Sequence, residues 1–207
     1  MSTDDQLNRS FSDDPSTSGG ATSGRLLSDF DSAEPMEPEP RSRWHAGLDL
    51  GLLILRLVLG GTMIGHGLQK FNFFDGPGIE GFARVLEGYG FTQQTTLLSW
   101  ITAATEVGAG GLLVLGLFTP LGAAGVLGVL ASVIVLKADN GFFLGGRQQG
   151  FEFEVALAAM AVALLFTGPG RVALDANTPW RRKPVPYGLV ALLLAAAATV
   201  VVLMVFR

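Results

Sequence analysis

Residues Gly47 to Gln69 read GLDLGLLILRLVLGGTMIGHGLQ, a membrane-length apolar run with one arginine, Arg56, near its middle. A spanning helix needs about 20 predominantly apolar residues. An arginine at the centre of such a helix costs about 2.5–3.5 kcal/mol on insertion scales. Arg56 is therefore expected to face a protein partner or a wet cavity, not lipid. The second apolar run, Leu97 to Leu117, carries Glu106 at its own midpoint. One cation and one anion at matching depth on adjacent helices predict a buried pair.

Three further apolar segments follow: Leu121–Leu136, about Phe151–Thr167 and about Tyr187–Phe206. The runs are long, rich in Ala and Leu, and lack period-2 alternation, so helices are expected rather than strands. The fold class read from these residues is all-α, a polytopic membrane helical bundle. Phe118-Thr119-Pro120 predicts a tight turn that makes helices two and three an antiparallel hairpin. Within the long Phe71–Thr96 connection, Ile79, Phe82, Leu86 and Tyr89 fall near one helical face. That spacing predicts a short interfacial helix over Ile79–Tyr89, entered through Gly76-Pro77-Gly78 and ended by Gly88 and Gly90.

The acidic charge balance belongs to the N-terminal tail. Residues 1–46 hold nine carboxylates against four arginines and are rich in Ser, Asp, Pro and Gly. A segment of that composition cannot bury enough apolar surface to offset its ordering entropy, so it reads as disordered. The charge gives no sign of a nucleic-acid partner. The lipid bilayer is the partner that the apolar runs imply, and a homo-oligomer is open. Orientation follows from Lys and Arg. With the N-terminus inside, eight basic residues lie on inner faces and five on outer ones, and Arg181-Arg182-Lys183 flanks a helix directly. The expected topology is multi-pass in the plasma membrane with a cytoplasmic N-terminus. The 70–96 and 137–152 connections then lie outside.

There is no cysteine. A disulfide, a dithiol motif or a thiolate-bound cluster is excluded, and any redox role works through a bound cofactor, a quinone or a partner. The two histidines, His45 and His66, are about 31 Å apart on one helix and cannot share a metal or haem within one chain. No metal motif, Walker A loop or nucleophile elbow is present.

The candidate site residues are therefore ionisable groups in the bundle. Arg56 with Glu106 has two readings: an ion pair that fixes helix register, or a polar site, because ionisable residues in membranes mark sites by default. Thr102 lies one turn before Glu106. At 100° per residue, Gly60, Met63, Gly67 and Lys70 stay close to the face of Arg56. The two glycines are expected to serve helix packing. His66 lies about 80° away and has two readings: a histidine satisfied by a neighbouring loop, or a group that hydrogen-bonds a quinone carbonyl or relays a proton. In the second outer connection, Lys137, Asp139, Arg147, Glu152 and Glu154 cluster around Phe142, Phe143, Phe151 and Phe153. Aromatics beside charges at a boundary are interface anchors or the walls of a flat apolar site.

LLILRLVLGGTMIGHGLQKF and ATEVGAGGLLVLGLFTPLGA resemble the first two helix signatures of the DoxX/DoxD-like membrane proteins, with LKADNGFF and FEFEVALA similar in character to their third-to-fourth helix connection. The resemblance covers about residues 47–168. It implies a four-helix DoxX-like core over 47–168, followed by a basic cytoplasmic connection at 169–186 and a fifth C-terminal transmembrane helix at 187–207. One namesake relative is a subunit of a thiosulfate:quinone oxidoreductase, and others are linked to oxidative-stress and thiol-handling assemblies. The function this implies is a redox-linked subunit that binds quinone or anchors a soluble oxidoreductase. It would be an enzyme only as part of such an assembly. A non-catalytic scaffold and a small proton-coupled transporter are the alternatives. By carry-over the positions of interest are Arg56, His66, Lys70 and Glu106, with Thr102, Lys137, Glu152 and Glu154 second.

Overall fold

A computed structural model describes residues 46–145, 149–175 and 177–207. The expected disordered tail, and with it His45, lies outside these residues. The described residues are helical throughout their regular structure: α1 Ala46–Lys70, α2 Gly78–Gly88, α3 Thr95–Leu115, α4 Thr119–Lys137, α5 Glu152–Thr167, α6 Pro179–Arg182 and α7 Pro184–Val205. Four of them, α1, α3, α4 with its trailing turn, and α7, are long and apolar enough to cross a bilayer. Helix α5 has 16 residues, about 24 Å, against a hydrocarbon thickness of about 30 Å. It nevertheless lies inside the bundle, packed on α4, α7 and α1.

Each boundary has a local cause. Helix α1 carries Asp49 in its first turn and Lys70 in its last, the signs that complement the helix dipole. Helix α3 stops at Gly116 in the left-handed conformation, where the Gly116 and Leu117 N–H groups bond the Leu113 and Leu112 carbonyls. Phe118 follows with φ of 46°, and Pro120 opens the first turn of α4. The tight hairpin expected from Phe118-Thr119-Pro120 is thus present. The short helix expected in this connection is also present, at Gly78–Gly88 rather than Ile79–Tyr89, with Ala83 and Leu86 turned inward.

Helices α1 and α3 form the closest pair. A Cβ on Gly60 would stand 2.6 Å from the Gly110 carbonyl oxygen, and one on Gly67 would stand 2.6 Å from Val107 Cγ2 and 3.0 Å from the Ala103 oxygen. Small residues let the two backbones meet, as membrane helices do without a hydrophobic drive between them. The core runs through all five long helices, with Leu59 and Met63 from α1, Leu113 from α3, Val126 from α4, Leu164 from α5 and Ala195 from α7. Outward-facing Leu and Val on α1 and α7 are the lipid-facing counterpart.

Candidate functional site

Arg56 does not pair with Glu106. The antiparallel register set by Gly60 against Gly110 puts Arg56 beside Gly116, ten residues beyond Glu106 on α3, or about 15 Å along that helix. Arg56 Nη1 instead donates to the Pro169 carbonyl at 2.9 Å and Nη2 to the Val172 carbonyl at 2.5 Å. Its counter-charge is Asp175. The physical reason is the shortness of α5. The chain leaves that helix at Gly168 while still within the bundle, so irregular backbone is buried among the helices. Such backbone is tolerated only when buried in protein and hydrogen-bonded. Arg56 supplies two donors, and Asp49 Oδ1 accepts the Arg171 N–H at 2.8 Å.

The same 168–178 connection reaches the α3–α4 hairpin. Asp175 is fully buried. Its Oδ2 accepts the Thr119 N–H at 2.8 Å and the Thr119 hydroxyl at 3.0 Å, a carboxylate at the positive end of α4. The Asp175 N–H in turn bonds the Gly116 carbonyl at 2.9 Å. The stretch expected as a plain basic connection is therefore partly an internal brace. Asp49 and Asp175 were not among the predicted site residues, because their loop partners carry no periodic signal.

Glu106 pairs with Lys70. The ammonium is 2.6 Å from Glu106 Oε2, and both side chains are buried. Side chains on a helix lean toward its N-terminus, so Lys70, at the very end of α1, reaches back into the bundle toward α3. It also sits 4.5 Å over the centre of the Phe82 ring on α2, a cation–π contact on the pair. A second pair stands nearby in sequence logic and chemistry: Lys137 Nζ at the end of α4 lies 2.6 Å from Glu154 Oε1 at the start of α5. His66 lies in the field of Lys70, Lys137 and Glu154 and meets Phe153 edge-on at 6.4 Å. Of the predicted residues, His66, Lys70, Glu106, Lys137 and Glu154 thus gather at one end of the bundle, and Arg56 stands at the other. Glu152 takes a different task, accepting the Leu144 N–H at 3.2 Å.

Beside this polar end runs a long apolar groove of about 290 Å³. Helices α3 and α7 both pack on α4, and the groove runs between them. Its floor is small: Ala124, Gly125, Gly128 and Ser132 of α4. Ile101, Thr102 and Thr105 wall one side and Leu194, Ala198 and Val202 the other, while Phe82, Leu86 and Phe91 close the end beneath α2. Phe82 and Thr102 connect groove to ion pair, since Phe82 lies under Lys70 and Thr102 is one turn from Glu106. The Thr102 and Ser132 hydroxyls donate to the Leu98 and Gly128 carbonyls, at 2.8 and 2.9 Å.

Comparison with known proteins agrees with this architecture. Residues 51–138, from α1 to the turn after α4, match the family model described as DoxX. This stretch is a DoxX domain. The DoxX match contains Arg56, His66, Lys70, Glu106 and Lys137, and it ends before α5. The chain is 28% identical over 140 residues to an uncharacterized membrane protein of Mycobacterium tuberculosis, covering 63% of this chain and 83% of that one. It is 29% identical over 132 residues to CatD of Bacillus subtilis, whose name assigns it provisionally to the oxidoreductases, covering 63% of this chain and 89% of that protein. No solved structure matches the chain.

Proposed function

We propose that this DoxX protein is a redox-linked subunit of the plasma membrane that binds a lipoquinone, which accepts electrons from a soluble oxidoreductase partner. The observation that carries the reading is the groove beside the Lys70–Glu106 pair. It is apolar along its length, as a prenyl tail requires, and it extends from Leu121 to Leu136 of α4, about 22 Å at 1.5 Å per residue. Small floor residues admit a flat or threadlike ligand. The Thr102 and Ser132 hydroxyls already give their protons to the preceding turn, so they offer lone pairs to a quinol O–H. The buried pair behind Phe82 supplies charged groups where proton uptake or release would accompany quinone turnover. A lipoquinone supplies two-electron chemistry, and with no cysteine in the chain the electrons come from the partner. The relative named for oxidoreductase activity supports the same class. The N-terminus is assigned to the cytoplasm, which puts the groove's α2 end at the outer face.

Extraction of lipoquinone from protein purified in mild detergent tests this. Ala198→Phe and Ser132→Phe fill the groove without touching either ion pair. Retained quinone is expected to fall about tenfold, the equivalent of about 1.4 kcal/mol, while the protein stays folded by gel filtration. Undiminished quinone in both folded variants would overturn the reading.

A further inference from the structure

At the end of the bundle away from Lys70, a second cavity of about 180 Å³ opens between the start of α4 and the start of α7. Phe118, Trp180, Tyr187 and Val190 line it, and it meets the long groove at Leu121, Ala124 and Leu194. The aromatic residues form a connected wall. Phe118 stacks on Trp180 at 5.6 Å, and Trp180 meets Tyr187 edge-on at 6.2 Å. The Trp180 indole Nε1 is buried and has no acceptor, although an indole N–H in apolar surroundings ordinarily finds one. Arg182 and Lys183, two and three residues on, are exposed.

We infer that this cavity binds an anionic glycerophospholipid of the adjacent leaflet. One acyl chain enters the cavity as far as Leu121, Ala124 and Leu194. The Trp180 N–H donates to an ester or phosphate oxygen at the level where tryptophan settles in a bilayer. Arg182 and Lys183 take the phosphate, for which a guanidinium is suited by its forked donors and an ammonium by its compact charge. Three separate features converge on this ligand: an apolar slot, a buried donor without an acceptor on one of its lining residues, and exposed cations in the turn that follows that residue. A quinone carries no charge for the two cations to meet, so the chemistry here differs from that of the groove.

Native mass spectrometry of the full chain, released from nanodiscs of mixed phosphatidylglycerol and phosphatidylethanolamine, tests the assignment. One phosphatidylglycerol is expected to stay bound in preference to phosphatidylethanolamine. The double variant Arg182→Gln with Lys183→Gln changes only exposed residues and is expected to lower that retention about tenfold. Trp180→Phe keeps the ring, removes the N–H and is expected to lower it several-fold. Equal retention of the neutral lipid, no retained lipid, or unchanged retention in the folded double variant would overturn the inference. Lipoquinone measured in the same samples separates the two sites. Ala198→Phe removes quinone and leaves phosphatidylglycerol, and the charge-removing double variant does the reverse.

Discussion

Lys70 and Glu106 meet because a terminal lysine leans back along its helix, and this gives each charged residue a distinct energetic signature. Burying two ions is repaid only when they are well paired, whereas removing one partner strands the other and costs about 3–5 kcal/mol. Lys70→Met and Glu106→Gln are each expected to destabilise the folded protein on that scale in detergent unfolding. Lys70→Met combined with Glu106→Leu should recover most of the loss. Arg56 provides the control. Its partners are the Pro169 and Val172 carbonyls, so Arg56→Met should add to Glu106→Gln within about 0.5 kcal/mol, as independent sites do. A large Arg56–Glu106 coupling energy would contradict the observed register.

At the scale of elements, glycine placement decides which helices touch. Gly60 and Gly61 are neighbours in sequence and opposite in role. A Cβ on Gly60 meets Gly110 and Val114, while one on Gly61 meets nothing within 4 Å. Gly60→Ala is expected to cost about 1–3 kcal/mol through overpacking. Gly61→Ala should be neutral within about 0.5 kcal/mol or slightly stabilising, because alanine is the better helix former. Unfolding measurements on the two single variants check this directly. The Gly60 and Gly67 face, the α2 helix and the Phe118 turn were all legible in the sequence, since periodicity, glycine spacing and proline punctuation report local structure. The partner of Arg56 was not. Run midpoints suggested equal depth for Arg56 and Glu106, but depth between helices is set by register, and register here depends on where Gly60 meets Gly110. The carbonyls that claim Arg56 belong to a loop more than a hundred residues away, which no pattern of side chains announces.

Across the whole molecule, the short α5 explains why one end of the bundle is braced and the other charged. At 16 residues it cannot bring both its ends to the membrane boundaries. Its acidic first turn stays with the Lys137 and Lys70 end, and the deficit falls at Gly168. There Arg56, Asp49 and Asp175 fasten the following chain between α1 and the α3–α4 hairpin. The brace keeps α5 antiparallel to α4, and the five long helices then alternate in direction. Residues of the 141–145 turn and of the 177–183 segment must therefore emerge on opposite faces. The cysteine-free chain lets this be read from single substitutions. Gly145→Cys is expected to react with a membrane-impermeant maleimide added to intact cells, and Lys183→Cys only after the membrane is opened. Ser132→Cys, within the groove, should resist the charged reagent in both conditions. Labelling of positions 145 and 183 from the same side would mean that α5 re-enters rather than crosses, and the brace would then have to be a different structure from the one described.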